Sequence, residues 1–538
     1  MFPRQYGPRP ERKIPQMTHM AVIVLSETPN NLKHVETAIQ DALEAHPLLR
    51  AHVEGDGEPE RRIDAMKMVR KGDPNPMTFV TDDTVKVDQV LKVVEVVGDD
   101  RGALDASWKQ AFARDMDDES WCDRENGPLW KLELHRLVKP GGGNDVSLPC
   151  ALLFSFNHAI SDQSSVNRLV DQMLRTISEL EAGESYTPAQ LQPIPIAVED
   201  SVMGLNKRWS DVQFKGVSMK TWKYAISKVL EGLKNPVLLP DGYHKEGPNL
   251  KSLIDIMMLR AAKEDRAHQR RSGLEFRSIP CDTTTALLKR CRYNGVSMSN
   301  ALTACMTMTA SDFVGRYGSD QQKKTKKKRN YKLLQSLDMR RFGEQLDKGE
   351  TMACMAGSMD LMHGPILDGS GEDLRKNRSK EKFDLFWHLA KENKEQTYHF
   401  LCKQDGPYQA VRLFDLGMTI SDLNNLVYVA AQSKDTEGRA YSAGVTNAGV
   451  YEKLDAFRRK DEHNRPLIQV QHGRFKVQDI YFAGSHAYIG CLYQVSCLSV
   501  DGALKMAFHP PFPILSDETN KEFADDFIAL LETVAFDS

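Results

Sequence analysis

The apolar pattern of the chain changes its period near residue 158. From Cys150 to Asn157, seven of eight residues are apolar or small, which predicts a strand buried on both faces. After Ser164 the apolar residues recur at helical spacing, and Ser161 or Asp162 is suited to cap the helix. These helical positions are Val166, Leu169, Val170, Met173, Leu174, Ile177 and Leu180. The pattern therefore predicts a tight strand-to-helix turn containing His158 and Asp162.

Similar patterns predict strands and helices along the whole chain. The predicted strands cover 17–26, 48–53, 85–97, 147–158, 274–280, 331–339, 441–451, 480–484, 489–500 and 504–509, with another beginning at Trp130. The predicted helices include 31–43, 107–116, 164–180, 218–234, 297–317, 382–400 and 519–534, and one running through 287–291. Residues 364–380 are predicted to be an exposed loop.

The order of these elements predicts an α/β protein with mixed sheets backed by helices, and the length favours two domains. Residues 191–273 are rich in proline, short helical stretches and charge, so we predict a crossover there. The expected organisation is an N-terminal half at 1–190, this crossover, and a C-terminal half at 274–538.

Composition narrows the function classes. The 538 residues are 41% hydrophobic and 27% charged with a net charge of -3, which is typical of a globular protein and gives no reason to expect a nucleic-acid partner. The nine cysteines form no CxxC pair, and HExxH, P-loop and dinucleotide-binding motifs are absent from the sequence. We therefore expect no bound metal and reduced thiols. We also expect a cytoplasmic protein, since no apolar run is long enough to span a bilayer and the opening residues have no apolar signal region. We expect the protein to be a monomer.

His158 follows a predicted buried strand, where a histidine is placed to act as a base. The alternative is a turn residue whose ring is satisfied by backbone groups, with Asp162 serving only as a helix cap. Periodicity alone leaves both interpretations open.

His158 and Asp162 form the sequence HxxxD, which resembles the active-site motif of the CoA-dependent acyltransferase superfamily. This superfamily includes chloramphenicol acetyltransferase, the plant BAHD enzymes, fungal alcohol acetyltransferases and peptide-synthetase condensation domains. Three further stretches resemble it in the same order: AIQDALEAHPLLRAHVE near the start, GPLW before the HxxxD strand, and NGVSMSNAL in the second half.

The resemblance implies two chloramphenicol acetyltransferase-like domains with an active-site tunnel between them. It implies transfer of an acyl group from acyl-CoA, as co-substrate, to a hydroxyl or amine of a small molecule, as in secondary metabolism. His158 would be the general base, with no acyl-enzyme and no permanently bound cofactor. Arg340, after the strand 331–339, would pair with Asp162 and so give both residues a structural role. The alternatives are that Arg340 and Arg341 are an exposed pair, and that Asp162 orients the imidazole of His158.

Two further sets of residues are candidates for the site, and each has an alternative interpretation. Thr446 and Asn447 lie in a stretch that resembles the superfamily's NxG strand, so they are candidates to donate to an oxyanion or line the tunnel; the alternative is a glycine-relieved bulge. Lys326, Lys327 and Lys328 belong to a basic run that could contact CoA phosphates, be a solvated loop or direct nuclear import.

The sequence departs from the superfamily at two positions beside the motif. Asn157 stands where condensation domains usually have a second histidine, and Gln163 replaces the glycine that usually follows the aspartate. The BAHD sequence DFGWG is absent. Two alternatives therefore stay open: a condensing enzyme that takes its acyl group from a carrier protein, and a catalytically silent member that binds a ligand.

Overall fold

The structure is a computed structural model. It describes residues 17–54, 78–98, 100–139, 146–195, 223–224, 226–227, 237, 270–317, 328–342, 352–403, 405–420, 436–453, 468–485 and 489–536. Most of the predicted crossover, including most of the helix expected at 218–234, lies outside these residues.

The described helices and strands alternate irregularly along the chain. The helices are α1 Leu32–Ala45, α2 Val87–Val90, α3 Arg101–Asp117, α4 Gln163–Glu181, α5 Cys281–Tyr293, α6 Met298–Tyr317, α7 Ser370–Asn377, α8 Lys380–Tyr398, α9 Gly406–Ile420 and α10 Asp517–Phe536. The strands are β1 Thr18–Leu25, β2 Ala51–Glu54, β3 Thr78–Thr81, β4 Leu91–Val97, β5 Trp130–Val138, β6 Cys150–Asn157, β7 Arg271–Ser272, β8 Glu275–Ile279, β9 Lys328–Asp338, β10 Ala356–Leu367, β11 Arg439–Val450, β12 Gln471–His472, β13 Phe475–Gly484, β14 Gly490–Val500, β15 Ala503–Phe508 and β16 Pro511–Phe512.

The first large sheet has the strand order β12-β13-β1-β6-β5-β4. Its neighbours are antiparallel except for the parallel pair of β4 and β5. Residues of α1 and α4 pack in one apolar core with side chains of this sheet, and residues of α3 pack in a second one. Because β1 and β6 are central and covered on both sides, their residues are almost all buried, as their continuous apolar patterns predict.

The second large sheet has the order β10-β9-β11-β14-β15-β8. β11 runs parallel to both of its neighbours, β9 and β14. The other neighbouring strands are antiparallel: β10 with β9, β14 with β15, and β15 with β8. Residues of α5, α6, α8 and α10 pack with this sheet in the largest apolar core. The predicted α/β class with mixed sheets and flanking helices is therefore confirmed.

The two sheets do not follow the chain in a simple succession. β12 and β13 come from the predicted C-terminal half, yet they lie in the first sheet, where β13 pairs with β1. The next strand, β14, belongs to the second sheet. The division of the chain into an N-terminal half, a crossover and a C-terminal half, with boundaries at 190 and 274, remains a prediction.

Three predicted elements were wrong in detail. Residues 364–380 are not a loop, because they contain the end of β10 and all of α7. β10 is an edge strand, and an edge tolerates the proline of the Gly364-Pro365 pair. The single strand predicted over 85–97 begins with the short helix α2, and the strand predicted over 48–53 begins with a 3-10 turn at Pro47–Arg50.

Within the described parts of the chain, no helix is both long and apolar enough to cross a membrane.

Candidate active site

His158 occupies the first position after β6, as the sequence predicts. Its backbone N–H donates to the carbonyl of Met17 at 2.7 Å, which holds the turn against the start of β1. The side chain of Asn157 accepts a hydrogen bond from the N–H of Ala159 at 3.0 Å, and the N–H of Ile160 donates to the carbonyl of Asn157 at 3.1 Å. These contacts close a tight turn that leaves the imidazole half-buried.

One ring nitrogen of His158 is already engaged. Nδ1 lies 2.8 Å from the carbonyl oxygen of Ser161. Because a carbonyl only accepts, Nδ1 must carry the proton in this contact, and in the neutral ring Nε2 is then the basic nitrogen. The turn thus selects the tautomer that a general base needs.

Asp162 caps α4 and lies at the centre of a buried polar cluster. One carboxylate oxygen accepts from the N–H of Ser165 at 3.0 Å, and the other accepts from Met355 N–H at 2.8 Å and Arg340 Nη1 at 2.7 Å. Burial alone raises the pKa of Asp162, but the charge and hydrogen bonds of Arg340 outweigh it and hold the pKa at about 2. The carboxylate is therefore ionised and directed at these partners.

Arg340 joins the two halves of the chain at this cluster. Besides Asp162, it donates from Nη2 to Ser165 Oγ at 2.8 Å and to the carbonyl of Ala353 at 3.0 Å. The Arg340 and Asp162 side chains are only 3% and 9% exposed. The contact expected between them is present, whereas the described hydrogen bonds include none between Asp162 and His158. Their roles in activity remain predictions.

Two residues that the sequence analysis did not single out also contact His158. The ring of His19, the second residue of β1, stacks on it with centroids 5.2 Å apart. Cys354 lies in the segment before β10, with Sγ 3.6 Å from His158 Nδ1. A polar residue at the start of the otherwise apolar β1 was a usable signal for His19. Cys354 gave none, because only the folded chain brings its segment to α4.

These neighbours change the ionisation of the two histidines in opposite directions. Burial, followed by the nearby positive charge of His158, lowers the pKa of His19 to about 3, so His19 is neutral. Burial also lowers the pKa of His158, but the charge and hydrogen bond of Cys354, the Ser161 carbonyl and Asp162 together raise it to about 9. No local pattern in the sequence indicates this increase in the pKa of His158.

Gln163, the replacement for the superfamily's glycine, is buried at the start of α4. Its Nε2 donates to Asn167 Oδ1 at 2.8 Å, and its side chain also interacts with His19. The substitution is therefore accommodated within α4, where it adds a polar neighbour to His19.

Thr446 and Asn447 lie in β11, and the structure joins neither of them to His158 by a hydrogen bond within the described residues. Thr446 Oγ1 is 2.8 Å from Ser336 Oγ and accepts from Gln494 Nε2 at 3.2 Å. Asn447 Nδ2 donates to Ser299 Oγ at 3.0 Å.

The bulge that was the alternative for this stretch is present. The register of β11 against β14 shifts between Asn447 and Val450, and Gly449 has a φ of +85°, which favours glycine. Asn447 Oδ1 accepts from the N–H of Gly449 at 2.9 Å, so the amide supports the bulge. The oxyanion role of Thr446 and Asn447 stays a prediction.

Of the three lysines predicted to contact CoA, Lys326 and Lys327 lie outside the described residues. Lys328 is exposed and begins β9. At the usual rise of a strand, about 33 Å separates it from Asp338 at the other end of β9. Contact with CoA phosphates remains a prediction.

No protein-family model matches the sequence, and no curated protein matches it at a significant level. Solved structures do match. The TRI3 trichothecene 15-O-acetyltransferase from Fusarium sporotrichioides is 12% identical with a TM-score of 0.62, covering 97% of this chain and 91% of that one. The epimerization domain of tyrocidine synthetase B is 12% identical with a TM-score of 0.52, covering 96% and 91%. The condensation domain of the Monacolin K polyketide synthase MokA is 11% identical with a TM-score of 0.52, covering 96% and 92%. The chain therefore has the two-domain, chloramphenicol acetyltransferase-like fold that its HxxxD motif and the order of its other stretches predicted.

Proposed function

We propose that the protein is an acyltransferase that moves an acyl group from acyl-CoA to a hydroxyl or amine of a small molecule. The observation that carries this proposal is the fixed geometry of His158, whose Nδ1–H is held by the Ser161 carbonyl at 2.8 Å. A histidine held in one tautomer at the end of a core strand is suited to general base catalysis. The fold shared with an acetyltransferase adds support by analogy.

In the proposed reaction, Nε2 of His158 takes the proton of the acceptor as its oxygen or nitrogen attacks the thioester carbonyl. A tetrahedral oxyanion forms, the carbon–sulfur bond breaks, and the proton on Nε2 passes to the departing thiolate. No acyl-enzyme is required, because a thioester is already activated and the two substrates need only be held together.

Asp162 and Arg340 act as positioning residues in this proposal. Their ion pair at 2.7 Å fixes the first turn of α4 and, through it, the turn that presents His158. The carboxylate is saturated by Arg340, Ser165 and Met355, which leaves it no part in the proton transfer.

The ionisation of His158 sets a condition on the reaction. Only the neutral ring accepts a proton, and its pKa is raised to about 9. The rate should therefore increase with pH up to this value, because the fraction of neutral imidazole increases.

The test is release of free thiol from a panel of acyl-CoAs mixed with alcohols and amines at alkaline pH. We expect at least one pair to react with the parent protein, and His158→Ala to abolish nearly all of that release. His388→Ala is the matched control, since this histidine is exposed on α8. Release only from an acyl carrier protein would favour the condensing enzyme. Ligand binding without release from either donor would favour the silent member.

A further inference from the structure

Cys354 differs from the other cysteines of the chain in its surroundings. Its side chain is partly exposed, and its Sγ lies 3.6 Å from His158 Nδ1. Two other cysteines, Cys281 and Cys402, are exposed, and the rest are buried. Burial raises the pKa of four of the buried thiols to about 12, which makes them poor nucleophiles. These four are Cys150, Cys291, Cys491 and Cys497.

The hydrogen bonds around His158 determine which ring nitrogen can take the proton of the Cys354 thiol. Nδ1 carries a proton because it contacts the Ser161 carbonyl, so Cys354 cannot donate to that nitrogen. If the thiol proton moves to Nε2, the ring becomes a cation whose Nδ1–H faces both the carbonyl and the thiolate. An imidazolium beside a cysteine stabilises the thiolate.

The groups packed around this pair favour its charged form. Asp162 is ionised nearby and raises the pKa of His158. His19 stacks on the ring of His158 but is neutral, so it is not a second cation beside the thiolate. The pair thus has one cation, His158, and one accessible nucleophile, Cys354.

We propose that Cys354 is a covalent modification site for soft carbon electrophiles such as activated alkenes. The thiolate sulfur attacks the β-carbon of the alkene, and a carbon–sulfur bond forms as the π bond of the alkene breaks. The electron pair of the π bond moves to the α-carbon, which then takes a proton from His158 or water. All atoms are retained in the adduct, and no oxidant is involved. Because the sulfur contacts the imidazole, the adduct lies against His158 and blocks the approach of an acceptor.

An imidazolium beside a thiol increases the share of reactive thiolate, so we expect Cys354 to react about tenfold faster than an exposed thiol that has no such neighbour. Cys281 and Cys402 serve as internal references, since both are exposed.

The experiment measures the alkylation rate of each cysteine by N-ethylmaleimide at pH 7, using peptide mass spectrometry on acid-quenched samples. We expect Cys354 to react about tenfold faster than Cys281 and Cys402 in the folded protein. In His158→Ala this advantage should disappear, while the rates at Cys281 and Cys402 stay the same, and the buried Cys150 and Cys491 should stay unlabelled, which shows that the variant is folded. A Cys354 rate equal to that of the references in the parent, or an unchanged advantage in His158→Ala, would overturn the proposal.

This measurement uses no substrate, so its outcome is independent of the proposed acyl transfer. Cys354→Ser supplies the second test. Its remaining thiols should keep their rates, and any acyltransfer activity that it has should resist N-ethylmaleimide, whereas the parent loses activity as Cys354 is labelled. Equal inactivation of the parent and Cys354→Ser would place the sensitive group elsewhere.

Discussion

Replacing Arg340 by alanine should destabilise the protein because it leaves a buried carboxylate without its cation. The two side chains are 3% and 9% exposed and their charged atoms are 2.7 Å apart. Arg340 also donates to Ser165 Oγ and to the Ala353 carbonyl, so the substitution removes several contacts between α4 and the segment before β10.

The magnitude follows from what the substitution leaves behind. Breaking a buried pair by removing one partner costs about 3 to 5 kcal/mol, mostly because the remaining charge stays buried. The backbone N–H groups of Ser165 and Met355 still contact Asp162 and limit the loss. Replacing both charged residues together, as Arg340→Met with Asp162→Asn, should cost less than the sum of the single substitutions.

The pKa of Asp162 also predicts how the stability depends on pH. Folding lowers this pKa from 3.8 to about 2, so the folded state holds the proton less tightly than the unfolded state. The resulting stabilisation is about 2 kcal/mol, is complete above about pH 4, and is lost as the pH falls towards about 2. Asp162→Asn cannot titrate, so its stability should depend less on pH in this range.

The assay is urea denaturation followed by tryptophan fluorescence at neutral pH and again at acid pH. Lys476→Ala is the control, because Lys476 and Asp501 form an ion pair whose side chains are 43% and 54% exposed. An exposed pair should contribute no more than about 1 kcal/mol. If Arg340→Ala loses no more stability than Lys476→Ala, the argument that this pair holds the turn is wrong.

Three further predictions concern activity. His158→Ala should fold normally and lose on the order of 100- to 10,000-fold in kcat, as removal of a general base does; an unchanged rate in the folded variant would remove His158 from the mechanism. The other histidine that the sequence places in a strand-end context, His486 in GSHAY, lies outside the described residues, so His388→Ala is the control. In the parent, kcat/KM should rise with pH with a midpoint near 9. Cys354→Ala should move that midpoint down towards 6.5, because the charge that raises the pKa of His158 is gone. Equal midpoints in the parent and Cys354→Ala would show that Cys354 is not the cause. Asn447→Ala should lower the stability by about 1 to 3 kcal/mol, because the amide supports a bulge, with kcat little changed; a loss of about 100-fold in kcat at full stability would instead indicate an oxyanion donor.

The sequence predicted the parts of the site that local patterns determine. β6, the turn at His158 and the helix capped by Asp162 are contiguous, and each was visible as a change in hydrophobic period. The contact of Asp162 with Arg340 joins residues 178 positions apart, and only the resemblance suggested it. Periodicity alone could not bring those two residues together.

The rest of the site depends on tertiary packing that no local pattern encodes. Cys354 reaches His158 because residues 352–355, directly before β10, lie beside α4, where Ser165 Oγ accepts from the N–H of Ala353 at 3.1 Å. The raised pKa of His158 follows from that contact, so it could not be predicted either. In the same way, the edge position of β10 explains why a stretch with Gly364 and Pro365 is a strand.

The pairing of β13 with β1 has a consequence for how the chain is synthesised and folded. His19 pairs with Gly484, so β1 is synthesised long before β13, the strand that covers this edge of it. Until then, the apolar stretch THMAVIVL has one edge with unpaired N–H and C=O groups, and such edges promote aggregation. A fragment ending before residue 468 would keep that edge permanently, so we expect it to be poorly soluble. Pairing between such distant segments also slows folding, because a long loop must close before the contact forms.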